Sequence, residues 1–517
     1  MLIFKLFKSR MNGAHTAYPF LLSLLVLCFC FAPAASAAQA PVKLTILHVN
    51  DTHGHIVPYV EKSIDENTPV SGADYLAVMI ERQKAANPEG CLLLSAGDMF
   101  QGTPISNIFQ GRPVIEIMNH LKYDAMALGN HEFDWGQDVL KNIVTSSNFP
   151  VLSANVFQKN GALFPGVKPY AIVKRHNVRI AIIGLTTTET PYTSKPGNLT
   201  GLSFVPPAQI LPALIKIVHS KGASLIIVLS HLGLEADKDL AHRVRGIDII
   251  VGGHSHTVVM NPVNESGTII VQAGYNGLYL GALDIVYDPA KKKILDYTAQ
   301  NELKLVSAGP QAPFDTDVAR IIDKYEVQVR TEFSKVAGTA LRDLTRRTDG
   351  ESGLGDLITD AMREASGARI AFYNGGGIRA DLLKGPVTLE NVYTILPFDN
   401  QLVTMDLSGS QIRELMENSA QAEKLLQISG MKVEFDLSRP AGSKVVSIYV
   451  DTAPIDPEAT YKVVTNDFLA AGGDQVTTFM KGRNTTFGSP VRDAVFDYIR
   501  TRSPVDLPVP GRISFAK

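Results

Sequence analysis

Between Lys43 and Asp284 the chain repeats one grammar, an apolar run that ends in a small cluster of Asp, Asn, His and Gly. Leu44–Val49 runs into Asn50-Asp51-Thr52-His53, Cys91–Leu94 into Ser95-Ala96-Gly97-Asp98, and Ala125–Leu128 into Gly129-Asn130-His131-Glu132. Leu225–Leu229 ends in Ser230-His231, and Ile247–Val251 in Gly252-Gly253-His254-Ser255-His256. Uninterrupted runs this short suit buried strands, and helical patterns such as Leu76, Met79 and Ile80 lie between them. The polar clusters then gather at the carboxyl ends of neighbouring strands, where α/β sheets place their ligand sites. One such cluster describes a loop; five in succession describe a site.

At 517 residues the chain exceeds what one core can organise, so two or three domains are expected. After the loose stretch Ser307–Pro313, residues Val318, Ile321, Ile322, Tyr325 and Val329 share one helical face and predict a connector helix over 312–335. It separates an α/β domain over 42–306 from a domain over 336–517 in which helix and strand signals mix. There Asp356–Ala365 and Ser410–Glu417 read as helices. Ile370–Tyr373, Val403–Leu407, Lys432–Phe435, Val445–Val450 and Tyr461–Val464 read as strands, an α+β pattern.

Lys5, Lys8 and Arg10 precede an apolar run from Phe20 to Phe31, followed by Ala-Ser-Ala at 35–37. That order is a secretory signal over residues 1–37, with cleavage near Ala37 or Ala40 and export to the periplasm or the exterior. The run falls short of the roughly 20 apolar residues that span a bilayer, so the mature protein is expected to have no membrane span. Cys28 and Cys30 leave with the signal, and Cys91 alone cannot form an internal disulfide. The formal net charge of −2 offers no global attraction for a nucleic-acid polymer or an acidic membrane. A small anion held in one cleft remains compatible with it.

The strand-end clusters carry mixed oxygen and nitrogen donors. Asp51 and His53 form a D-x-H pair, which strand alternation would place on one side. Asp98 follows Gly97, which permits a tight turn, and a carboxylate can bridge two cations. Asn130 adds an amide oxygen, and His231, His254 and His256 add nitrogens. Seven such side chains suit two borderline divalent ions, zinc, manganese, iron or cobalt. His48 and His55 are read as ordinary histidines.

Residues Ile46–His55, Ser95–Pro104, Ala127–Gly136, Ser230–His231 and Val251–Thr257 resemble the successive motifs of the calcineurin-like metallophosphoesterases, and the whole chain resembles the two-domain 5'-nucleotidase family within them. The resemblance implies a four-layer α/β/β/α catalytic domain. It implies one cation at Asp51, His53, Asp98 and His256 and a second at Asp98, Asn130, His231 and His254, with Asp98 shared. Relatives vary at the position matching His256. It further implies that His131 stabilises the transition state while Asp134 orients it and keeps it charged. Two cations close together would activate a bridging hydroxide and neutralise a phosphoryl group.

For the C-terminal domain the resemblance implies a nucleotide site. Asn374 and Arg379 of Asn374-Gly375-Gly376-Gly377-Ile378-Arg379 match a nucleotide-binding motif. Phe398 and Phe468 match two rings that sandwich the base, and Asp474 an aspartate that binds ribose. Where the family has an arginine before Asn-x-Gly, this chain reads Arg346-Arg347-Thr348-Asp349-Gly350, with Gly353 at the usual Asn. Arg347 is the assignment, with Arg346 as the alternative. The expected activity is hydrolysis of nucleoside 5'-monophosphates. A UDP-sugar or dinucleotide pyrophosphatase, or a 2',3'-cyclic phosphodiesterase with 3'-nucleotidase activity, would use the same metals. A nucleoside-binding or adhesion protein without turnover is the non-enzymatic alternative.

Overall fold

In the computed structural model, residues 40–422 and 425–516 are described; the signal segment lies outside them. The strand runs form two sheets. In the first, Val42–Val49 lies between Tyr279–Asp288 and Cys91–Ser95, followed by Ala125–Ala127 and Val151–Leu152. In the second, Leu225–His231 lies between Ile249–Gly252 and Val178–Thr186. Side chains alternate across each strand, so each sheet has two apolar faces. Leu44, Ile46, Leu92 and Leu94 of the first meet Ile180, Ile182, Leu225 and Ile227 of the second in one buried layer. The outer face of the first sheet, including Leu47, Val49 and Leu93, packs on helices Ala73–Ala86, Arg112–His120 and Gln137–Ser146. Ile183, Ile226, Val228 and Ile250 of the second face helices Pro207–Ser220 and Leu234–Arg243. This is the expected four-layer α/β/β/α arrangement. Each fully buried Leu or Ile contributes roughly 1.5–3 kcal/mol.

The parallel pairings align the strand ends. Val49 pairs Ser95 in the first sheet. In the second, Gly252 pairs Ser230 and Thr186 pairs His231. The polar clusters therefore leave both sheets at one edge.

The connector helix runs Thr316–Phe333, capped by the Asp315 carboxylate, which accepts from the Asp317 and Val318 N–H groups. Its Tyr325 ring meets Phe109 of the catalytic domain edge-on, 4.8 Å between centroids, and Phe333 at its far end meets Tyr393 of the C-terminal domain at 5.1 Å. The C-terminal domain has a five-stranded sheet in the order Leu426–Ser429, Ile370–Asn374, Thr460–Asn466, Gln401–Ser408, Arg483–Pro490. Ile370–Asn374 runs parallel to Thr460–Asn466, and both end at the edge facing the catalytic domain's polar clusters. No helix among the described residues is long and apolar enough to cross a membrane.

Candidate active site

The strand-end loops converge. Ligand atoms of Asp51, His53 and His256 lie within 4.8 Å of one another, as do those of Asp98, His231 and His254. The two groups adjoin, since His231 Nε2 is 4.0 Å from Asp51 Oδ1 and 3.0 Å from Asp98 Oδ2. Strand alternation is not what brings Asp51 and His53 together. Both lie beyond the strand with φ of 49°, and Asp98, His254 and His256 also have positive φ. Each such conformation costs of order 1–3 kcal/mol and persists where its surroundings over-determine it. Gly129 is required beside them, because a Cβ there would stand 2.1 Å from Asp98 Oδ1.

The donor chemistry fits divalent cations. His53 Nδ1 lies 2.9 Å from the Gln101 carbonyl and His231 Nδ1 lies 2.7 Å from the Ala96 carbonyl. A carbonyl only accepts, so both rings carry a proton on Nδ1 and turn Nε2 into the site. His231 Nε2 and Asn130 Oδ1 are buried with no aligned hydrogen-bond partner, which is costly unless a bound group satisfies them. Burial would lower the pKa of His231, yet Asp98 and Asp51 raise it to about 10. That buried carboxylate charge is what a cation would balance.

His131 stands beside Asn130 without joining either group. Its Nδ1 lies 2.7 Å from Asp134 Oδ2, and although burial opposes it, Asp134 and then Asp98 raise its pKa. Asp134 is therefore not the cap of the following helix Gln137–Ser146, whose N-terminus has no side-chain cap. Glu132 had no part in the sequence reading. Its buried carboxylate accepts from the N–H groups of Asp98, Met99 and Gly129 at 2.6–2.9 Å and ties two ligand loops together. A glutamate after a histidine gives no signal of this, because its partners are backbone amides brought in by the sheet. His48 is buried against Glu302 at 2.7 Å, away from the site, whereas His55 lines the cleft wall.

His53 and His256 of one triad, Asp98 and His254 of the other, and His131 open into one cleft of about 620 Å³ whose far wall belongs to the C-terminal domain. Asn374, Arg379, Phe398, Phe468 and Asp474 all line it. Arg379 Nη2 reaches 3.2 Å from His53 Nε2, and the Phe398 ring lies 5.5 Å from that of His131. Asn374 bridges Asp474 at 3.1 Å and Asn466 at 2.9 Å. Of the two arginines weighed for the phosphate end, Arg346 lines the cleft and donates to the Arg379 carbonyl. Arg347 does not line the cleft; its side chain is exposed and pairs with Asp349, 2.6 Å distant. Asn400, two residues after Phe398, also lines the cleft, as does Lys195, which crosses between domains to Asp467 at 2.7 Å. Neither has a local signal; an Asn or Lys in a loop is ordinary until the partner domain closes over it.

Comparison with known proteins follows the same division. Residues 44–258 match the calcineurin-like phosphoesterase family, and residues 331–481 match the 5'-nucleotidase C-terminal domain. A snake venom 5'-nucleotidase from Crotalus adamanteus is 33% identical, covering 96% of this chain and 92% of its own length. The human 5'-nucleotidase is 31% identical over 95% of this chain and 94% of its own. The crystal structure of a 5'-nucleotidase precursor from Thermus thermophilus superposes with a TM-score of 0.85 at 38% identity, covering 92% of this chain and 99% of that one.

Proposed function

Because the chain belongs to the 5'-nucleotidase family of metal-dependent phosphoesterases, we propose that it is an exported enzyme that hydrolyses nucleoside 5'-monophosphates to nucleoside and phosphate. The observation that carries this reading is the single cleft onto which the two His/Asp triads, the His131–Asp134 pair and the C-terminal ring and arginine groups all open. Asp51, His53 and His256 would hold one divalent cation, Asp98, Asn130, His231 and His254 the other, with Asp98 offering an oxygen to each. Bound there, the cations would neutralise phosphoryl charge and lower the pKa of an attacking water.

The protein's own groups divide the remaining work. Arg379, half-buried in the cleft wall and 3.2 Å from His53 Nε2, would flank a phosphoryl group held at the triads. Its planar fork suits phosphate oxygens. His131, held by Asp134, presents its Nε2 side to the same space as a hydrogen-bond donor to charge that grows in the transition state. Phe398 and Phe468 offer faces to the base, and Asp474, steadied by Asn374, offers carboxylate oxygens to ribose hydroxyls. Phosphate at the metals and base at the rings would thus orient the scissile bond between the domains.

Export rests on the basic, apolar and small-residue order of residues 1–37. The decisive experiment is a comparison of AMP, UDP-glucose, ATP and 2',3'-cyclic AMP as substrates of the metal-loaded enzyme. AMP should have the highest kcat/KM with stoichiometric phosphate release. Faster turnover of UDP-glucose or the cyclic nucleotide would overturn the monophosphate reading, and binding without phosphate release would overturn hydrolysis itself.

A further inference from the structure

Behind Asp51, His53 and His256 runs a segment, Gln272–Asn276, that supplies no cation ligand yet braces both loops that do. It continues the strand Thr268–Val271. Gln272 is fully buried. Its Oε1 accepts from the Thr257 N–H at 2.6 Å and the Ser255 hydroxyl at 2.9 Å, and its Nε2 donates to the Gly253 carbonyl at 2.9 Å. The orientation of this amide is unambiguous, because a backbone N–H must donate and a carbonyl must accept. No other side chain of this size offers both functions in that order. The three contacts bracket His254 and His256 from either end of their loop. Tyr275 then stacks on His256, with centroids 5.4 Å apart and planes at 18°.

The same segment grips the other loop. Asn50 Oδ1 accepts from the Ala273 N–H at 2.7 Å, while its Nδ2 donates to the Gly274 carbonyl and to Asp51 Oδ2, each at 2.7 Å. The Asn276 N–H donates to the Asp51 carbonyl, also at 2.7 Å. Both braced loops hold their ligands at positive φ: 49° for Asp51 and His53, 76° for His254 and 57° for His256. Such conformations survive only where fixed partners leave no alternative, and the backbone on either side of these residues finds those partners here.

We propose that Gln272 is a positioning residue for cation binding, holding the His254–His256 loop in ligating geometry while Asn50 couples the same brace to Asp51. This rests on the cation assignment above. Outer partners of metal ligands typically control affinity by roughly 10–100-fold when removed. The stripped protein is titrated with Zn²⁺ against a competing chelator, as wild type, His256→Ala and Gln272→Met. Gln272→Met should bind at least one cation roughly 10–100-fold more weakly. Excess metal should restore kcat at unchanged KM for AMP, because no substrate contact has been altered. Wild-type affinity in Gln272→Met, with only a lower melting temperature of the metal-free protein, would reduce Gln272 to a packing residue and overturn the proposal. If Gln272→Met does not fold, Ser255→Ala, which removes one arm from an exposed residue, decides. It should show a smaller loss of affinity at an unchanged metal-free melting temperature, and unchanged affinity overturns the proposal. Fewer than two cations on the wild type, or full affinity in His256→Ala, would instead overturn the cation assignment itself.

Discussion

His131 and Asp98 are neighbours with separable duties. The His131 N–H of the backbone donates to Asp98 Oδ1 at 2.8 Å, but its imidazole turns to Asp134 and takes no place among the ligand atoms. His131→Asn should therefore lower kcat by about 10²–10³, the usual loss for one preorganised donor, with metal content measured by elemental analysis unchanged. Loss of metal in that variant would mean that the ring ligates. Asp98→Ala should behave in the opposite manner. Its carboxylate adjoins both groups, so the expected result is loss of activity together with less than two metals per chain. Full activity with two metals bound would remove Asp98 from the site.

At the scale of elements, the two rings of the base site differ in what supports them. Phe398 follows the helix Leu389–Ile395 and is only partly buried, touching His131 and Arg379. Phe468 lies in the short helix Asp467–Ala470 and packs into the core of the C-terminal domain as well as lining the cleft. Gly473 lets its ring lie that close, since a Cβ there would approach the ring to 2.5 Å. Phe398→Ala should weaken kcat/KM for AMP by roughly 1–3 kcal/mol while leaving a simple aryl phosphate and the melting temperature nearly unchanged. Phe468→Ala should add a loss of stability of about 3–5 kcal/mol, the cost of truncating a core aromatic. Equal losses for both substrates in a stable Phe398→Ala protein would detach that ring from the base. The connector has its own test. Asp315→Ala removes two accepted hydrogen bonds at the helix start and should cost about 1 kcal/mol in a denaturant titration.

For the whole molecule, the site is a place where the fold buries carboxylate charge and holds left-handed backbone together. Asp51 and Asp98 are both buried, and five ligand residues have positive φ. Cations that bind the folded state alone stabilise it by mass action, and about 2.7 kcal/mol is expected at 100 times the dissociation constant. Chelation should thus lower the melting temperature, and the effect should follow free Zn²⁺ concentration when metal is restored. An identical melting curve with and without chelator would show that the loops need no cation. The cross-domain contacts Asn107 to the Pro397 carbonyl at 2.8 Å and Lys195 to Asp467 at 2.7 Å join the two domains beside the cleft.

What the sequence by itself determined is the repeated passage from apolar strand to polar cluster, which marks the buried strands and the candidate ligands, and the one-faced apolar pattern that placed a connector helix over 312–335, found as Thr316–Phe333. Those features are local. Side-chain periodicity and turn chemistry act over a few residues, and five similar strand ends in one sheet pair must converge. Only the tertiary structure decided which arginine faces the cleft, because Arg346 and Arg347 lie in an irregular segment with no periodicity to direct their side chains. It also decided the reach of Asp51 and His53, which a left-handed turn achieves where alternation was expected. Glu132, Asn400, Lys195 and Gln272 belong to the same category. Their partners lie in other loops or the other domain, and a hydrogen bond whose partner is distant in the chain leaves no pattern in the residues beside it.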